Sequence, residues 1–559
     1  MTISGDDDPE LVLGPMLRWA DHTSATIWVE VSAACEVEVL ECTTPTFQVE
    51  GRHYALVIVT GLEPNTTTPY EVHLAGKRVW PDRDLEVPPS VIRTIGTRQP
   101  VKVLLGSCRA AAPHEVPYTK ELASDPEARG VDTLWAHARR MMAQQPELWP
   151  SVVVFAGDQI YADDSSPKAQ ERIEQRRDDG LDLDSSKVYD FEEYALLYHE
   201  SWSKESERWL LSTVPTTMIF DDHDMIDSWN ISSSWMDDMA DEPTWLTRET
   251  DGYMSYWVYQ HLGNLSPHQL HEDGLLEQLN NVDDGTEILR AWARRCVEES
   301  GSAGGAHFSH TRRVGDVTII TVDCRNGRVF DGVQRLIVQP SEWNAIVTAA
   351  QDATGHVMFV SSLPVYLPDG IHDLHTWNER ISSRNAWGRW GRALGERVRR
   401  SLDLDDWPAF PSSFAAFGEL MSAMKSRETP PTSIVVASGD IHFSYAARVD
   451  GFADSRGPDV WQVVSSPIRN ALIPKERGAM RLALTRTGGL VAAVLRRASR
   501  GEDTRPGLGI EAGPFFANNM CVLEYGPERL VAVFEQSTSS ATGDDPDLNE
   551  VGRVTLSNR

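Results

Sequence analysis

The sequence has little cysteine and no long apolar run. Six cysteines occur among 559 residues, and none lies in a C-x-x-C pair, which argues against a disulfide framework and a zinc knuckle. No stretch approaches the roughly 18 uninterrupted apolar residues of a membrane-spanning helix, so we expect no membrane span. The N-terminus, MTISGDDDPELVLGP, lacks the basic region and apolar core of a signal peptide. This predicts a cytoplasmic protein, or an extracellular one if the N-terminus has been trimmed.

Positive charge is also scarce. The chain has 52 Lys and Arg against 83 Asp and Glu, a formal net charge of −31. Such a surface should repel nucleic acid and anionic membranes, so we expect neither as a bulk partner. A small phosphorylated molecule can still bind where metals or local arginines reverse the sign. The oligomeric state is not readable from the sequence.

The chain is too long for one average domain, and its pattern changes near residue 98. Residues 1–98 contain short runs rich in Val, Ile, Thr and Tyr, such as SATIWVEV and HYALVIVTGL, separated by turn residues. They predict a small all-β sandwich, loosely similar to immunoglobulin and fibronectin-type modules. In residues 99–559, apolar strands alternate with longer amphipathic segments, which predicts an α/β catalytic domain.

Five apolar runs of the second region end on residues that can bind metals or anions. The runs and their terminal residues are VKVLLGSCR with Cys108 and Arg109, SVVVFAGDQIY with Asp158 and Tyr161, TTMIFDDHD with Asp222 and His223, VTIITVDCR with Asp323 and Arg325, and SIVVASGDIHFS with Asp440 and His442. Ligands of open α/β sheets bind beyond the carboxyl ends of the strands, so we expect these side chains to converge. A single ending of this kind more often caps the next helix, and the prediction therefore depends on all five together.

The residue types at these strand ends favour a metal site. Asp158, Asp222 and Asp440 offer hard oxygen ligands, and His223 and His442 offer imidazole nitrogen. Asp440 and His442 are two residues apart, so both can point the same way from an extended backbone. An aspartate between two cations about 3.5–4 Å apart can bridge them, and Asp158 is the candidate for that bridge.

The ordered set GSC, GDQIY, DDHD and GDIHFS resembles the PhoD-like alkaline phosphatases of the metallophosphoesterase superfamily, over roughly residues 99 to 470. The resemblance implies a four-layer αββα sandwich, with two sheets face to face and helices outside, preceded by a small β-sandwich. It also implies hydrolysis of phosphate esters by metal-activated water, at a site that holds Fe³⁺ and one or more Ca²⁺ ions. Monoester, diester and phospholipase-D-like specificities stay open.

The resemblance also implies roles for individual residues. The implied iron ligands are Cys108, Asp158 and Tyr161, and the implied remainder of the metal cluster is Asp222, Asp440 and His442. His223 would be the catalytic histidine next to the phosphate. A thiolate and a phenolate are strongly donating anions that stabilise trivalent iron, which agrees with these roles.

Other roles in these motifs rest on the residue types alone. Arg109 and Arg325 are candidates for bidentate bonds to phosphate oxygens, and pairing with the acidic protein is the alternative for both. Asp221 and Asp224 are expected to be turn, cap or supporting groups. A protein of another class, a non-catalytic scaffold or adhesion molecule with a relic metal site, is the competing interpretation of the whole chain.

Overall fold

The computed structural model describes residues 8–82, 86–96, 99–122, 125, 127–177, 183–300, 306–331, 334–384, 386–452, 457–501, 503–527, 529–539 and 545–558. The predicted domain boundary at residue 98 lies outside the described residues. Both predicted regions are otherwise represented.

The first region consists of strands. They are β1 Leu11–Ala20, β2 Ser24–Val31, β3 Glu36–Val39, β4 Cys42–Pro45, β5 Phe47–Val49, β6 Arg52–Thr60, β7 Thr67–Pro69, β8 Val72–Leu74, β9 Lys77–Trp80 and β10 Val91–Arg93. They form two four-stranded sheets, β1-β2-β6-β5 and β4-β3-β8-β9, and the pair β10-β7. β-Branched and aromatic side chains from the two larger sheets, such as Ile27, Val57, Val72 and Trp80, share one buried cluster. Within residues 8–82 and 86–96 the structure contains no helix.

The second region alternates strands with helices. Its strands are β11 Val101–Gly106, β12 Val152–Phe155, β13 Thr216–Met218, β14 His310–Val314, β15 Val317–Val322, β16 Val329–Asp331, β17 Gln334–Leu336, β18 His356–Ser361, β19 Ser433–Ser438, β20 Ser444–Val449, β21 Val460–Val464, β22 Leu508–Phe515, β23 Asn519–Tyr525, β24 Arg529–Ser539 and β25 Pro546–Asn558. The described helices are α1 Thr133–Met142, α2 Pro167–Arg176, α3 Phe191–Trp202, α4 Glu205–Thr213, α5 Ser233–Ala240, α6 Trp245–Tyr256, α7 Pro267–Asp273, α8 Leu275–Asn280, α9 Thr286–Glu298, α10 Pro340–Asp352, α11 Asp369–Ser382, α12 Gly388–Ser401, α13 Pro411–Lys425, α14 Pro474–Ala483 and α15 Arg486–Ala498. None of these helices is long and apolar enough to cross a bilayer.

Two large sheets carry the second region. One has the order β13-β12-β11-β23-β24-β25 and the other β14-β15-β18-β19-β21-β20-β22. Residues of both sheets, among them Val103, Val154, Met358 and Val435, share one buried cluster, so the sheets are in contact. The opposite faces pack against helices, through Val153 of the first sheet and Phe359 of the second. The mixed α/β class is confirmed, whereas the four-layer order and a separate N-terminal sandwich remain predictions.

Strand direction sets the position of the site. β11, β12 and β13 are parallel, as are β15, β18, β19 and β21. Strands buried on both faces are mostly apolar, as VVVF in β12 and the central IVVA of β19 show. Charged residues therefore follow where these strands end, and parallel strands end at the same edge of their sheet.

The N-terminal strands are packed onto the second region. Arg18 of β1 is fully buried and donates to the carbonyl oxygens of Tyr259 at 2.7 Å and Gln260 at 2.6 Å. The hydroxyls of Tyr54 and Tyr259 are 3.0 Å apart, and Tyr259 is also bonded to Glu30 at 2.9 Å. These buried polar contacts hold the β-rich region against the catalytic-type region in a defined orientation.

Candidate metal centre

The strand ends bring the predicted metal ligands together in three overlapping clusters. In each cluster one ligand atom per residue lies within 4.8 Å of the others. The clusters are Cys108, Asp158 and His442; Asp158, Asp222 and His223; and Asp221, Asp222 and Asp440. Asp158 and Asp222 each belong to two clusters, so the three form one continuous centre.

Glycine allows the strand ends to approach so closely. A Cβ atom on Gly157, which has φ +118°, would lie 2.6 Å from Cβ of Asp221. A Cβ atom on Gly439 would lie 2.3 Å from Oγ of Ser107. The two glycines therefore let β12 and β19 end against their neighbours.

Four of the candidate ligands adopt a left-handed backbone that non-glycine residues rarely use. They are Cys108 at φ 57°, Asp158 at 49°, Asp440 at 61° and His442 at 53°. Such conformations cost on the order of 1–3 kcal/mol each and are concentrated at functional sites. The turns after β11, β12 and β19 are therefore shaped to aim these side chains.

The Cys108 thiol is buried among hydroxyl groups and acids. Ser466 donates from Oγ to the sulfur at 3.2 Å, and Oγ of Ser107 also lies 3.2 Å from it. Burial, reinforced by Asp158 and Asp440, raises the pKa of Cys108 well above its usual value. A thiolate at this position therefore needs a cation beside it.

Tyr161 lies against the same group of acids. Its hydroxyl donates to Oδ2 of Asp158 at 3.4 Å, and its ring centroid is 4.6 Å from that of His223. Burial, followed by the charges of Asp158 and Cys108, raises the pKa of Tyr161 well above its usual value. The phenolate form, like the thiolate, therefore requires an adjacent positive charge.

Like Asp221, Asp158 is a buried acid with one oxygen that no described residue hydrogen-bonds. It is 1% exposed, and its Oδ1 has no hydrogen-bond partner among the described residues. Burial, then Asp221, raises the pKa of Asp158 well above its usual value, and burial has the same effect on the pKa of Asp440. Buried carboxylates are normally paired, hydrogen-bonded or bound to metal. The unpartnered oxygen, together with thiol, phenol and imidazole groups, fits a bound metal ion.

The surroundings of His442 and His223 shift the pKa values of the two imidazoles in opposite directions. Burial, helped by the nearby His223, lowers the pKa of His442 to about 3, which keeps the neutral form that ligates metals. Burial also opposes charge on His223, but Asp163 outweighs it and raises the pKa of His223 well above its usual value. Nδ1 of His223 lies 2.8 Å from Oδ1 of Asp163. Nε2 is therefore the ring nitrogen left for the site.

Asp163 was not among the residues predicted from the sequence. Its Oδ2 accepts a bond from the backbone N–H of Asp227 at 2.6 Å, which fixes the carboxylate that orients His223. Burial alone would raise the pKa of Asp163, but His223 holds it below its usual value. The available signal was its position two residues after Tyr161 in the run YADD.

Asp221 and Asp224 form the capping box of the short helical turn Asp222–Asp224. Oδ2 of Asp224 accepts from the backbone of Asp221 at 3.1 Å, and its Oδ1 accepts from Nε2 of Gln260 at 3.0 Å. Asp224 is thus a structural acceptor, as expected. Asp221 also has a ligand atom close to those of Asp222 and Asp440, so it belongs to the third cluster as well as to the capping box.

Arg325 lies inside the centre, but its donors face carboxylates. Its guanidinium contacts Asp221 at 2.6 Å, Asp405 at 2.8 Å, Asp440 at 2.8 Å and Asp222 at 3.2 Å. It is 1% exposed. The predicted phosphate contact receives no support from this arrangement, because the nitrogens are already engaged.

The structure does not bring Arg109 to the centre. Its side chain leaves the β11 turn on the other side and bonds Asp132 at 2.9 Å, the carbonyl of Ser201 at 2.6 Å and Glu207 at 2.8 Å. It is 2% exposed. Its predicted contact with phosphate is not supported, and the alternative, pairing with acidic groups, describes what the side chain does.

A cavity of about 300 Å³ opens beside Tyr161 and Asn470. Its apolar wall includes Ala112 and Leu197, and its lining carries charges of both signs, among them Lys168 and Glu200. The space borders one metal-ligand candidate, Tyr161, and is large enough for an organic group of modest size.

Comparison with known proteins gives three results. A family model described as PhoD-like phosphatase matches residues 129–273, and a model described as a domain of unknown function (DUF7800) matches residues 8–92. A solved structure described as "Structure of PhoD" aligns with 100% of this chain and 92% of its own, at 12% identity and a TM-score of 0.59, which shows a shared fold. A maltogenic amylase from S. marinus aligns at 9% identity, 100% of this chain and 84% of its own, but its TM-score of 0.15 is too low for an argument. No curated protein matches.

The PhoD-like match over residues 129–273 agrees with the resemblance that the motifs carry. The matched segment contains Asp158, Tyr161, Asp222 and His223, and it supports a phosphoesterase function. The acidic and histidine clusters are of a kind that can bind metal.

Proposed function

We propose that this chain, with its PhoD-like phosphatase domain, is a metal-dependent hydrolase of phosphate esters. One observation carries the proposal: Asp158 is buried, has an oxygen without a partner in the described part of the chain, and is shared by a cluster with Cys108 and His442 and a cluster with Asp222 and His223. A carboxylate shared in this way suits a bridge between two cations. The competing scaffold interpretation gives no reason for a buried acid without an arginine partner at a place where several strand ends converge.

The donor atoms divide into two sets. Cys108, Tyr161 and His442, with Asp158, suit Fe³⁺, because anionic sulfur and phenolate ligands stabilise the trivalent state. Asp222 and Asp440, again with Asp158, offer only oxygen and suit Ca²⁺. When bound, the ions would supply positive charge to the phosphoryl oxygens and make a water more acidic.

His223 is placed to move a proton. The carboxylate of Asp163 holds Nδ1 and favours the imidazolium, so Nε2 carries a proton that can pass to the departing ester oxygen. The ring of Tyr161 packs beside the imidazole and limits its rotation. The proton donor is therefore oriented before substrate arrives.

Arg325 keeps the acids together. It is bonded to Asp221, Asp222 and Asp440 at once, so it reduces the repulsion among carboxylates that would otherwise separate. We assign it this positioning role instead of direct contact with phosphate. The organic part of the ester would occupy the cavity beside Tyr161.

The test combines metal analysis with ester hydrolysis. The purified protein is expected to contain iron and calcium, and to hydrolyse p-nitrophenyl phosphate, bis(p-nitrophenyl) phosphate or both. Comparison of the two esters measures the preference for monoester or diester. A tyrosinate bound to ferric iron absorbs visible light, so Tyr161→Phe should remove or shift that band, whereas Asp237→Asn, at an exposed acid of α5, should not. A colourless, metal-free and inactive protein would overturn the proposal in favour of the scaffold.

A further inference from the structure

Three helices reverse the charge of this acidic protein locally. Helix α12 contains five arginines and one glutamate, α14 contains three basic residues and one glutamate, and α15 contains three arginines and no acid. The whole chain has a formal charge of −31. Arg399, Arg400 and Arg496 are paired with acids, and the remaining basic residues of the three helices still leave a local excess of positive charge.

The same helices expose large apolar side chains. Trp390 of α12 is 77% exposed, Leu482 of α14 is 63% exposed, and Leu490 of α15 is 68% exposed. Val491 and Val494 are also exposed, and Val494 lies four residues after Leu490 and three after Val491, so it joins the two on one broad face of α15. Single exposed apolar residues are common, but a stripe of this kind marks an interaction surface.

Arginines flank the apolar side chains on each helix. On α15 the exposed Arg486 and Arg497 lie before and after the Leu490–Val494 stripe. On α12 the exposed Arg389 and Arg392 lie on either side of Trp390. The composition is that of helices that lie in a bilayer interface, with apolar side chains inserted and cations at the headgroups.

Buried contacts fix which faces point outward. Arg496 of α15 bonds Asp373 of α11 at 2.7 Å, and both are almost fully buried. Arg399 of α12 bonds Glu379 of α11 at 3.0 Å. A Cβ atom on Gly370 would lie 2.7 Å from the carbonyl oxygen of Ala483, so α11 also approaches the end of α14 closely. The exposed faces are therefore a fixed feature of the fold.

The surface lies next to the metal centre. Met480 and Leu484, on and just after α14, pack against a cluster that contains Phe443 and Tyr445 of β20 and its preceding turn. Ile441 belongs to the same cluster, and it lies between Asp440 and His442. The inner side of α14 therefore packs close to the turn that contains Asp440 and His442.

We propose that α12, α14 and α15 form a docking surface for an anionic lipid bilayer. Charge complementarity selects the partner, because each exposed arginine gains energy near anionic headgroups. Nucleic acid would use the arginines but leave Leu482, Leu490 and Val494 in water, whereas a bilayer accommodates both kinds of side chain. The inference goes beyond the proposed function and does not depend on it.

The experiment measures binding of the full chain to vesicles by co-sedimentation. Vesicles of phosphatidylcholine alone are compared with vesicles that also contain phosphatidylglycerol, at low and high salt. The wild type is expected to bind the anionic vesicles, and the binding should weaken as salt is added. The triple variant Arg389→Gln, Arg392→Gln, Arg397→Gln should lower the partition coefficient on the order of 100-fold. The variant Leu490→Ser, Val491→Ser, Val494→Ser should lower it at least about tenfold.

Matched controls separate this surface from general effects. The variant Lys77→Gln, Arg78→Gln, Arg313→Gln removes three exposed cations elsewhere, and Leu148→Ser removes an exposed leucine elsewhere. Both controls should bind as the wild type does, and all variants should keep wild-type cooperative unfolding.

Three outcomes would overturn the proposal. Absence of wild-type binding to anionic vesicles at low salt is the first. Binding that survives the serine variant, and that an oligonucleotide matches in strength, would indicate a polyanion site. Self-association that the α12 and α15 variants abolish, without vesicle binding, would assign the surface to a second copy of the chain.

Discussion

Two buried clusters of similar composition lie on either side of the turn after β11. In both, acidic and histidine ligand atoms lie within 4.8 Å of one another. One contains Cys108, Asp158 and His442, and the other contains His114, Asp132 and Glu207. They differ in whether a cation already balances the acids.

Arg109 supplies that cation to the second cluster alone. It bonds Asp132 and Glu207 at 2.9 and 2.8 Å. Burial alone would raise the pKa of Asp132, but Arg109 holds it well below its usual value, whereas the pKa of Asp158 is raised well above. Ligand types at metal-binding distance therefore do not identify a metal site by themselves. A buried carboxyl group that no arginine pairs with among the described residues, Asp158, distinguishes the first cluster from its neighbour.

The largest effect is expected from Asp158→Asn. Loss of the shared carboxylate should remove bound metal and lower kcat/KM on the order of 10³-fold, because metal-bound charge contributes several kcal/mol to such reactions. The free energy of unfolding of the metal-free protein should not fall by more than about 1 kcal/mol, since the carboxylate is unfavourably buried. Ester hydrolysis, metal content and urea unfolding measure the three quantities.

Asp237→Asn is the control for that variant, because Asp237 is an exposed acid on α5. It should change neither metal content nor activity. Full activity with full metal content in Asp158→Asn would show that the centre is assigned to the wrong residues.

In the cluster of His114, Asp132 and Glu207, which we call the balanced cluster because Arg109 pairs with its acids, a substitution is expected to lower the stability of the fold. Arg109→Met leaves Asp132 and Glu207 buried without their cation, and should lower the free energy of unfolding by about 3–5 kcal/mol. Adding Asp132→Asn and Glu207→Gln should recover part of this loss, since no unpaired charge then remains. Urea denaturation measures both variants. A loss under about 1 kcal/mol, or a metal ion bound at His114, would contradict the comparison.

The sequence predicts one of these two clusters and misses the other. The first is built from strand ends, where an apolar run stops at Asp158 or Asp440, and strand direction then makes the ends converge. The second joins a turn, the N-cap of α1 and the interior of α4, and no local pattern connects such positions. For the same reason the motifs include Arg109 and omit Asp163: adjacency in sequence does not say to which side a side chain points.

A smaller effect is expected from Asp163→Asn. The amide cannot stabilise the imidazolium, so the pKa of His223 should fall and kcat should decrease about 10–100-fold, with KM and metal content little changed. The decline of kcat on the basic side of its pH profile should move to lower pH. A merely structural defect would not cause this shift. Asp237→Asn, at the exposed acid of α5 outside the cavity, is the control. Unchanged kcat and pH profile would remove His223 from the proton-transfer role.

The smallest effect concerns the dependence of stability on pH in the balanced cluster. Because the pKa of Asp132 is held well below 3.8, the native protein binds fewer protons there than the unfolded chain. The resulting stability is present above about pH 4 and is lost as the pH falls further. Asp132→Asn lacks this contribution but keeps an oxygen for the N-cap of α1, where Oδ1 accepts from Leu134 at 2.9 Å.

The difference in free energy of unfolding between wild type and Asp132→Asn should therefore shrink below about pH 4, by up to about 1.4 kcal/mol per pH unit. Urea unfolding from pH 6 to pH 3 measures it. A difference that stays constant over this range would mean that Arg109 does not hold Asp132 in its charged form. The contrast between a balanced and an unbalanced cluster would then lose its electrostatic basis.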